Sequence, residues 1–169
     1  MDINRCLKAL NDYNCPPNVV AHSKAVSKKA VEIAVTYSAK ADTTVDMEQV
    51  KYGALVHDIG RSKTHSIQHA VVGAEILRDL NFPECYINIT LRHIGAGIPC
   101  DEAEELGLPK ENYIPSTIEE KIVAQADNLI SGTEEVDLTF VLNKWEGKFG
   151  RNHPAINRIK KLHEDLLLD

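Results

Sequence analysis

The sequence predicts an all-α bundle of about seven to nine helices, and three observations carry that expectation. Aromatic residues are only 5% of the chain, while the helix formers Ala, Leu, Ile, Lys and Glu are plentiful. Apolar residues recur at three- and four-residue spacing in segment after segment, and nowhere do they alternate long enough to suggest a strand. Capping and breaking residues punctuate the segments at helix-length intervals.

Residues 2–13 form a short amphipathic helix that stops before Pro16-Pro17. Those prolines, with φ already fixed, suit the start of a second helix from about Asn18 to Tyr37, broken by Asp42-Thr43-Thr44. Asp46 is placed to cap a third helix that carries Met47, Val50, Tyr52, Ala54 and Leu55 into the tetrapeptide HDIG. Ser66 can open a fourth, SIQHAVVGAEILRDL, ended by Asn81 and Pro83. A fifth, PECYINITLRHI, must terminate in Gly95-Ala96-Gly97-Ile98-Pro99. Residues 99–116 hold a short acidic helix, DEAEELG, and the loop LPKENYIPS. Ser116 or Thr117 then starts STIEEKIVAQADNLISG, with Glu119 and Glu120 favouring the first turn. Two more helices are expected at about 134–147 and 154–168.

At 169 residues the chain reads as one domain, 1–169, with no internal repeat or low-complexity linker. Its 43% hydrophobic and 26% charged residues are an ordinary soluble balance. The net charge of −6 disfavours nonspecific attraction to nucleic acid or anionic membrane. No apolar run approaches the ~20 residues needed to cross a bilayer. Neither a secretory pattern at MDINRCLKALNDYN nor a CxxC pair among Cys6, Cys15, Cys85 and Cys100 is found, so a cytoplasmic protein with reduced thiols is expected.

The stretch LVHDIGRSKTHSIQHA, residues 55–70, threads His57, Asp58, Arg61, His65 and His69 among Leu55, Val56, Ile59 and Ile67. Helical spacing aligns each ionisable group with an apolar face. His22 shares a face with Val26, Ala30 and Ile33; His57 and Asp58 follow Val50 and Ala54; His69 aligns with Val72, Gly73 and Ile76. His93 follows Tyr86 and Ile89, and Asp127 lies between Val123 and Ile130. A lone core histidine is ordinarily just hydrogen-bonded, but buried carboxylates need a partner. Four histidines and two aspartates offer no obvious cation for one another except a metal ion. Such a nitrogen and oxygen set, free of Cys, suits Fe, Mn, Co or Ni, with Zn possible and a structural zinc disfavoured.

The pieces VVAHSKAV, LVHDIGR, HAVVGAEIL, RHIGAGIP and AQADNLI, in that order over residues 18–131, resemble the HD superfamily of metal-dependent phosphohydrolases. The HDIG variant with two further histidines is similar to its two-metal subgroup. Dinucleoside-tetraphosphate hydrolases and iron-dependent pterin cyclic phosphodiesterases are similar in layout, and uncharacterised archaeal HDIG proteins look closer still. The resemblance implies that His22, His57, Asp58 and Asp127 hold a first metal. Asp58 would bridge to a second, held also by His69 and His93, with His65 as the rival of His69. It implies a phosphohydrolase that cleaves a phosphomonoester or phosphodiester of a nucleotide, dinucleotide or cyclic phosphate by attack of a metal-activated hydroxide. Asp58 would orient that nucleophile, and Arg61, where many relatives have Lys, would neutralise the phosphate through its planar fork. His65, Gly95, Gly97 and Tyr113 are candidate substrate contacts, the last by stacking on a base.

Two other classes compete: a di-iron oxygenase on the same scaffold, and a metal-retaining nucleotide-binding domain without turnover. A small-molecule phosphate ester or nucleotide is the expected partner, and a homodimer is possible. In the extension at 134–168, Lys144, Lys148, Arg151, Arg158, Lys160 and Lys161 read as a solvated basic face. Trp145 and Phe149 read as core or dimer contacts rather than a stacking platform.

Overall fold

The computed structural model describes residues 1–166, and among them helices dominate. Helix α1 (Ile3–Asp12) is capped by Asp2, whose carboxylate accepts the Arg5 amide. Helix α2 (Pro17–Ala41) starts on the proline pair and runs four residues beyond Tyr37, because Ser38-Ala39-Lys40-Ala41 contains no breaker. It closes only where Asp42 turns left-handed at φ 48°. Helix α3 (Met47–Val56) takes the cap expected of it, the Asp46 carboxylate accepting the Gln49 amide at 2.9 Å. An N-cap of this kind is worth about 1 kcal/mol.

A 3₁₀ turn, Ile59–Ser62, separates α3 from α4 (His69–Asp79). The helix start expected at Ser66 is not realised. The Ser66 carbonyl accepts the His69 amide at 3.1 Å instead, and α4 begins three residues later. Helices α5 (Glu84–Arg92), α6 (Cys100–Glu105) and α7 (Ile118–Asn128) follow, α7 capped by Thr117.

The expectation of no strand is corrected by a small antiparallel ribbon, β1 (Ile130–Ser131) with β2 (Glu134–Glu135). Its two-residue loop opens on Gly132 at φ 64°, the position that a tight hairpin reserves for glycine. Helix α8 (Leu138–Phe149) therefore starts later than 134, capped by Asp137. Helix α9 (Pro154–Asp165) has its first turn at His153-Pro154, and positions 167–168 of the expected helix lie outside the described residues.

Two apolar clusters organise the bundle. One gathers Val26, Ala30 and Ile33 of α2, Val50 and Ala54 of α3, Ile89 of α5 and Ile122 and Val123 of α7. Val141 of α8 and Ile159 and Leu162 of α9 join it, so the C-terminal helices belong to the main core. The other sets Cys6 and Leu10 of α1 against Leu55, Val56, Ile59, Leu77 and Tyr86. Where α3 ends and α4 begins, backbones approach closely. A Cβ on Gly60 would lie 2.0 Å from the His69 carbonyl oxygen and 2.6 Å from the Gly73 amide nitrogen, and neither backbone atom can yield. The glycine of HDIG is thus what lets the 3₁₀ turn lie on the first turn of α4. Among the described residues, no helix is long and apolar enough to cross a membrane.

Candidate metal centre

Six side chains from five helices and the turns beside them meet between the two clusters. His57 and His93, at the ends of α3 and α5, are fully buried, and Asp58 and His69 are nearly so. His22 of α2 and Asp127 of α7 complete the group from the more open side. Asp58 stands in the middle: Oδ1 lies 3.2 Å from His69 Nε2 and 3.5 Å from His93 Nε2, while Oδ2 lies 3.8 Å from His57 Nε2. Asp127 Oδ1 lies 2.8 Å from His22 Nε2 and 3.4 Å from His57 Nε2.

Each imidazole is turned inward by its other nitrogen. His57 Nδ1 donates to the Ala54 carbonyl at 2.6 Å, His69 Nδ1 to Ser66 at 2.7 Å and His93 Nδ1 to Thr90 at 2.7 Å. Ala54 and Thr90 lie in the last turns of their helices, where carbonyls lack a helical donor. One hydrogen bond therefore satisfies a helix end and fixes a tautomer. His22 Nδ1 donates to the Gly132 carbonyl at 2.8 Å, so the unexpected ribbon orients a ligand. With every Nδ1 bonded to a carbonyl, each Nε2 turns to the centre, where its neutral form presents the lone pair that a metal ligand needs.

This donor set fits divalent ions. His57 Nε2 and Asp58 Oδ1 are buried without a hydrogen-bond partner. His69 Nε2 and His93 Nε2 face each other at 3.1 Å, and two lone pairs at that range need a cation or proton between them. Three overlapping triads, His22-His57-Asp58, His57-His93-Asp127 and Asp58-His69-His93, each have donor atoms close enough to share one ion. The field agrees. Burial pulls the His57 pKa down, but Asp58 and Asp127 outweigh it and push it up to about 9. Burial opposes ionisation of Asp58, yet His57, His69 and His93 hold its carboxyl well below the usual range. Burial lowers the pKa of His93.

The expectation that the cluster has no cationic side-chain partner is corrected: Arg61 Nε donates to Asp58 Oδ2 at 2.6 Å. Arg61 also lines a cavity of about 560 Å³ outside the cluster, together with His22, His69, His93 and Asp127. His65 is exposed on the rim of that cavity and belongs to none of the triads, whereas His69 belongs to one. Gly95 and Gly97 border the cavity, but their freedom serves packing. A Cβ on Gly95 would sit 2.6 Å from Trp145 Cη2, and one on Gly97 would sit 2.7 Å from Ile114 Cα. Tyr113 is corrected outright. It is 3% exposed, packs in a buried cluster with Ile98, Ala103 and Leu108, and donates its hydroxyl to the Pro109 carbonyl, so it stacks on no ligand.

The basic tail divides in two. Lys160 and Lys161 are exposed as expected, while Lys144, Lys148 and Arg158 line the cavity beside Trp145, Phe149 and His153. Sequence reasoning missed this wall and the Gly132 carbonyl. The Ser131-Gly132 dipeptide is a turn signal that points to the ribbon. The four-residue spacing of Lys144 and Lys148 beside Trp145 and Phe149 marks a mixed helix face, but not what it faces.

The HD domain model matches residues 19–132, two thirds of the chain. The chain belongs to the HD domain family. It is 51% identical to the uncharacterised protein MJ0778 of Methanocaldococcus jannaschii over 166 residues, 98% of this chain and 97% of that one. It is 44% identical to the tRNA (cytidine(56)-2'-O)-methyltransferase of Picrophilus torridus over 98% of this chain, but spans only 46% of that protein's length. Among solved structures, the HD domain of the L. monocytogenes phosphodiesterase PgpH in complex with cyclic-di-AMP superposes with a TM-score of 0.58. That match covers 96% of this chain and 93% of that one at 19% identity, a likeness of fold.

Proposed function

We propose that the protein is a metal-dependent phosphohydrolase acting on a phosphate ester of nucleotide size. The single observation that carries this reading is Asp58, a buried carboxylate left with an unpartnered oxygen between histidines whose lone pairs converge on it. His22, His57, Asp58 and Asp127 would hold one ion, and Asp58, His69 and His93 a second. The absence of sulfur ligands favours iron, manganese, cobalt or nickel. Bound there, divalent ions supply an activated water and a clamp for phosphoryl oxygens.

The chain's own residues supply the rest. The backbone carbonyls behind the four imidazoles accept from Nδ1 and leave each Nε2 facing the place where the ions would sit. Arg61 engages one oxygen of Asp58, holding the carboxylate so that the other faces His69 and His93. As a cavity-lining cation beside the cluster, Arg61 also neutralises phosphate charge. The family membership supports a hydrolase. A PgpH domain of the same fold is described as a phosphodiesterase in complex with a cyclic dinucleotide, which supports a nucleotide substrate.

Elemental analysis of freshly purified protein, then a phosphoester panel with the metal found, tests the reading. The panel includes RNA ends bearing 3′- or cyclic phosphates, because one relative carries a tRNA-modifying name. Phosphate release or ring opening without oxygen, abolished in His57→Ala, is the expected result. Oxygen uptake with an organic substrate would point to the oxygenase class instead. No turnover with any metal, with His57→Ala indistinguishable from the parent, would overturn the proposal.

A further inference from the structure

Part of the wall of the cavity that the histidines border comes from the C-terminal helices. Trp145 and Phe149 stack with ring centroids 5.4 Å apart and planes at 24°, and Phe149 and His153 continue the column at 4.9 Å and 32°. All three border the same cavity as His22 and Asp127 and are partly exposed. Lys148 Nζ lies 4.9 Å above the Phe149 ring, and Lys144 precedes it by one helical turn. Both lysines are exposed, and neither has a carboxylate partner among the described residues.

The column is fixed relative to the metal ligands. Gly95, two residues beyond His93, lies so close to the Trp145 ring that no Cβ fits, and its carbonyl accepts Asn128 Nδ2, next to Asp127, at 2.9 Å. Arg158 holds α9 to α6 through a two-point pair with Glu102.

Packing accounts for the indole against Gly95. It gives no reason for an aromatic column and two ammonium groups without a carboxylate partner to line the same cavity as the metal-type donors. Successive aromatic faces beside lysines are how proteins hold nucleobases and phosphates. We infer that this wall is the subsite for the non-reacting part of the substrate: a nucleobase extends the Trp145–Phe149–His153 stack, and Lys144 and Lys148 neutralise a phosphate beyond the one cleaved. The substrate class is then a nucleotide with at least two phosphates, or a dinucleotide, of a size that suits a cavity of about 560 Å³. The cleavage itself rests on the phosphohydrolase reading, while the binding does not.

The chain has a single tryptophan, so its fluorescence reports on the wall directly. The protein as purified is titrated with α,β-methylene-ADP, which resists cleavage, and separately with methylenebisphosphonate and ribose 5-phosphate. Saturable quenching by the nucleotide, and none by the two base-free probes, is expected. Phe149→Leu, folded by circular dichroism, should weaken that binding roughly ten- to hundredfold. It should also raise KM for a nucleotide substrate by a larger factor than it changes kcat. Lys144→Ala with Lys148→Ala should weaken the nucleotide and steepen nothing else. Equal quenching by methylenebisphosphonate, or unchanged nucleotide binding in Phe149→Leu, overturns the subsite. So does a single-stranded RNA that binds far more tightly than the nucleotide. Absence of quenching in a protein that hydrolyses esters sinks the subsite and spares the phosphohydrolase; quenching without turnover does the reverse.

Discussion

Asp58 and Glu120 are both 3% exposed, yet the chain treats their charges in opposite ways. Both oxygens of Glu120 are engaged: Arg92 Nη1 reaches each at 2.9 Å, and the Ser116 amide and hydroxyl add bonds at 2.7 and 3.1 Å. That carboxylate ties the end of α5 to the start of α7, and nothing is left over for a ligand. Asp58 has one hydrogen-bond donor, Arg61, on Oδ2, and its Oδ1 has no hydrogen-bond partner, with His69 and His93 Nε2 at 3.2 and 3.5 Å. Equal burial therefore says nothing about role; the count of donors does. A saturated carboxylate is structural, and an unsaturated one among lone pairs awaits a cation.

The sharpest way to break this contrast is to neutralise each carboxyl without changing its shape. Asp58→Asn should lower metal affinity by at least about 10–100-fold, the range seen even for groups that only support ligands. The chelated variant should also melt lower than the chelated parent, because the Arg61 pair goes and a carboxyl that the fold holds well below its usual range contributes stability only when ionised. Glu120→Gln should keep its metal and lose about 1–3 kcal/mol because Arg92 and Ser116 donors lose their acceptor. For a chain of this size that is roughly 2–12 °C in Tm. Metal content by elemental analysis and melting by circular dichroism, read on both variants, settle it. If the two variants lose metal alike, donor count is not what separates the sites.

A smaller effect comes from the packing that brings Asp58 to His69. In Gly60→Ala, the new methyl would meet the His69 carbonyl and the Gly73 amide, so the 3₁₀ turn must lift off α4. The ion bound by Asp58, His69 and His93 should be lost, with about 1–3 kcal/mol of stability as in other overpacked sites. The ion near His22 and Asp127 should be retained. Retention of two ions per chain would show that the close approach is incidental.

Much of this was legible in the chain because it is local. Asp46 and Thr117 cap the helices expected of them, and helical spacing brings four imidazoles and two carboxylates onto inward faces. Each of those readings uses neighbours three or four residues apart. What spacing leaves out involves partners far along the chain or in a turn. Spacing marks Arg61 as a cation for a phosphate but leaves out its bond to the i−3 carboxylate of Asp58. Tyr113 was read as a free ring, yet residues 98–108 fold over it. The glycine turn after His93 borders the cavity as expected of a substrate contact, but spacing does not show that Trp145, fifty residues beyond Gly95, packs on it. Spacing reports which face a side chain occupies and is silent about what arrives to cover it.

The two histidines of the 65–69 segment give the finest form of the same contrast, because helical spacing places them on one face. His69 sits 3.2 Å from Asp58 Oδ1, with its Nδ1 held by the Ser66 carbonyl. His65 is exposed on the cavity rim. His69→Ala should therefore remove one metal equivalent and most of the activity, since Asp58 and His93 alone leave that ion two protein ligands. His65→Ala should leave metal content and Tm unchanged and alter KM for a phosphate ester by about twofold to fivefold, the worth of an exposed polar contact of roughly 0.5–1 kcal/mol. Metal stoichiometry is the decisive measurement, because it does not depend on knowing the substrate. Loss of metal in His65→Ala with retention in His69→Ala would exchange the two roles. It would also mean that a half-turn of the 63–68 segment brings the rim histidine inward when the ion binds.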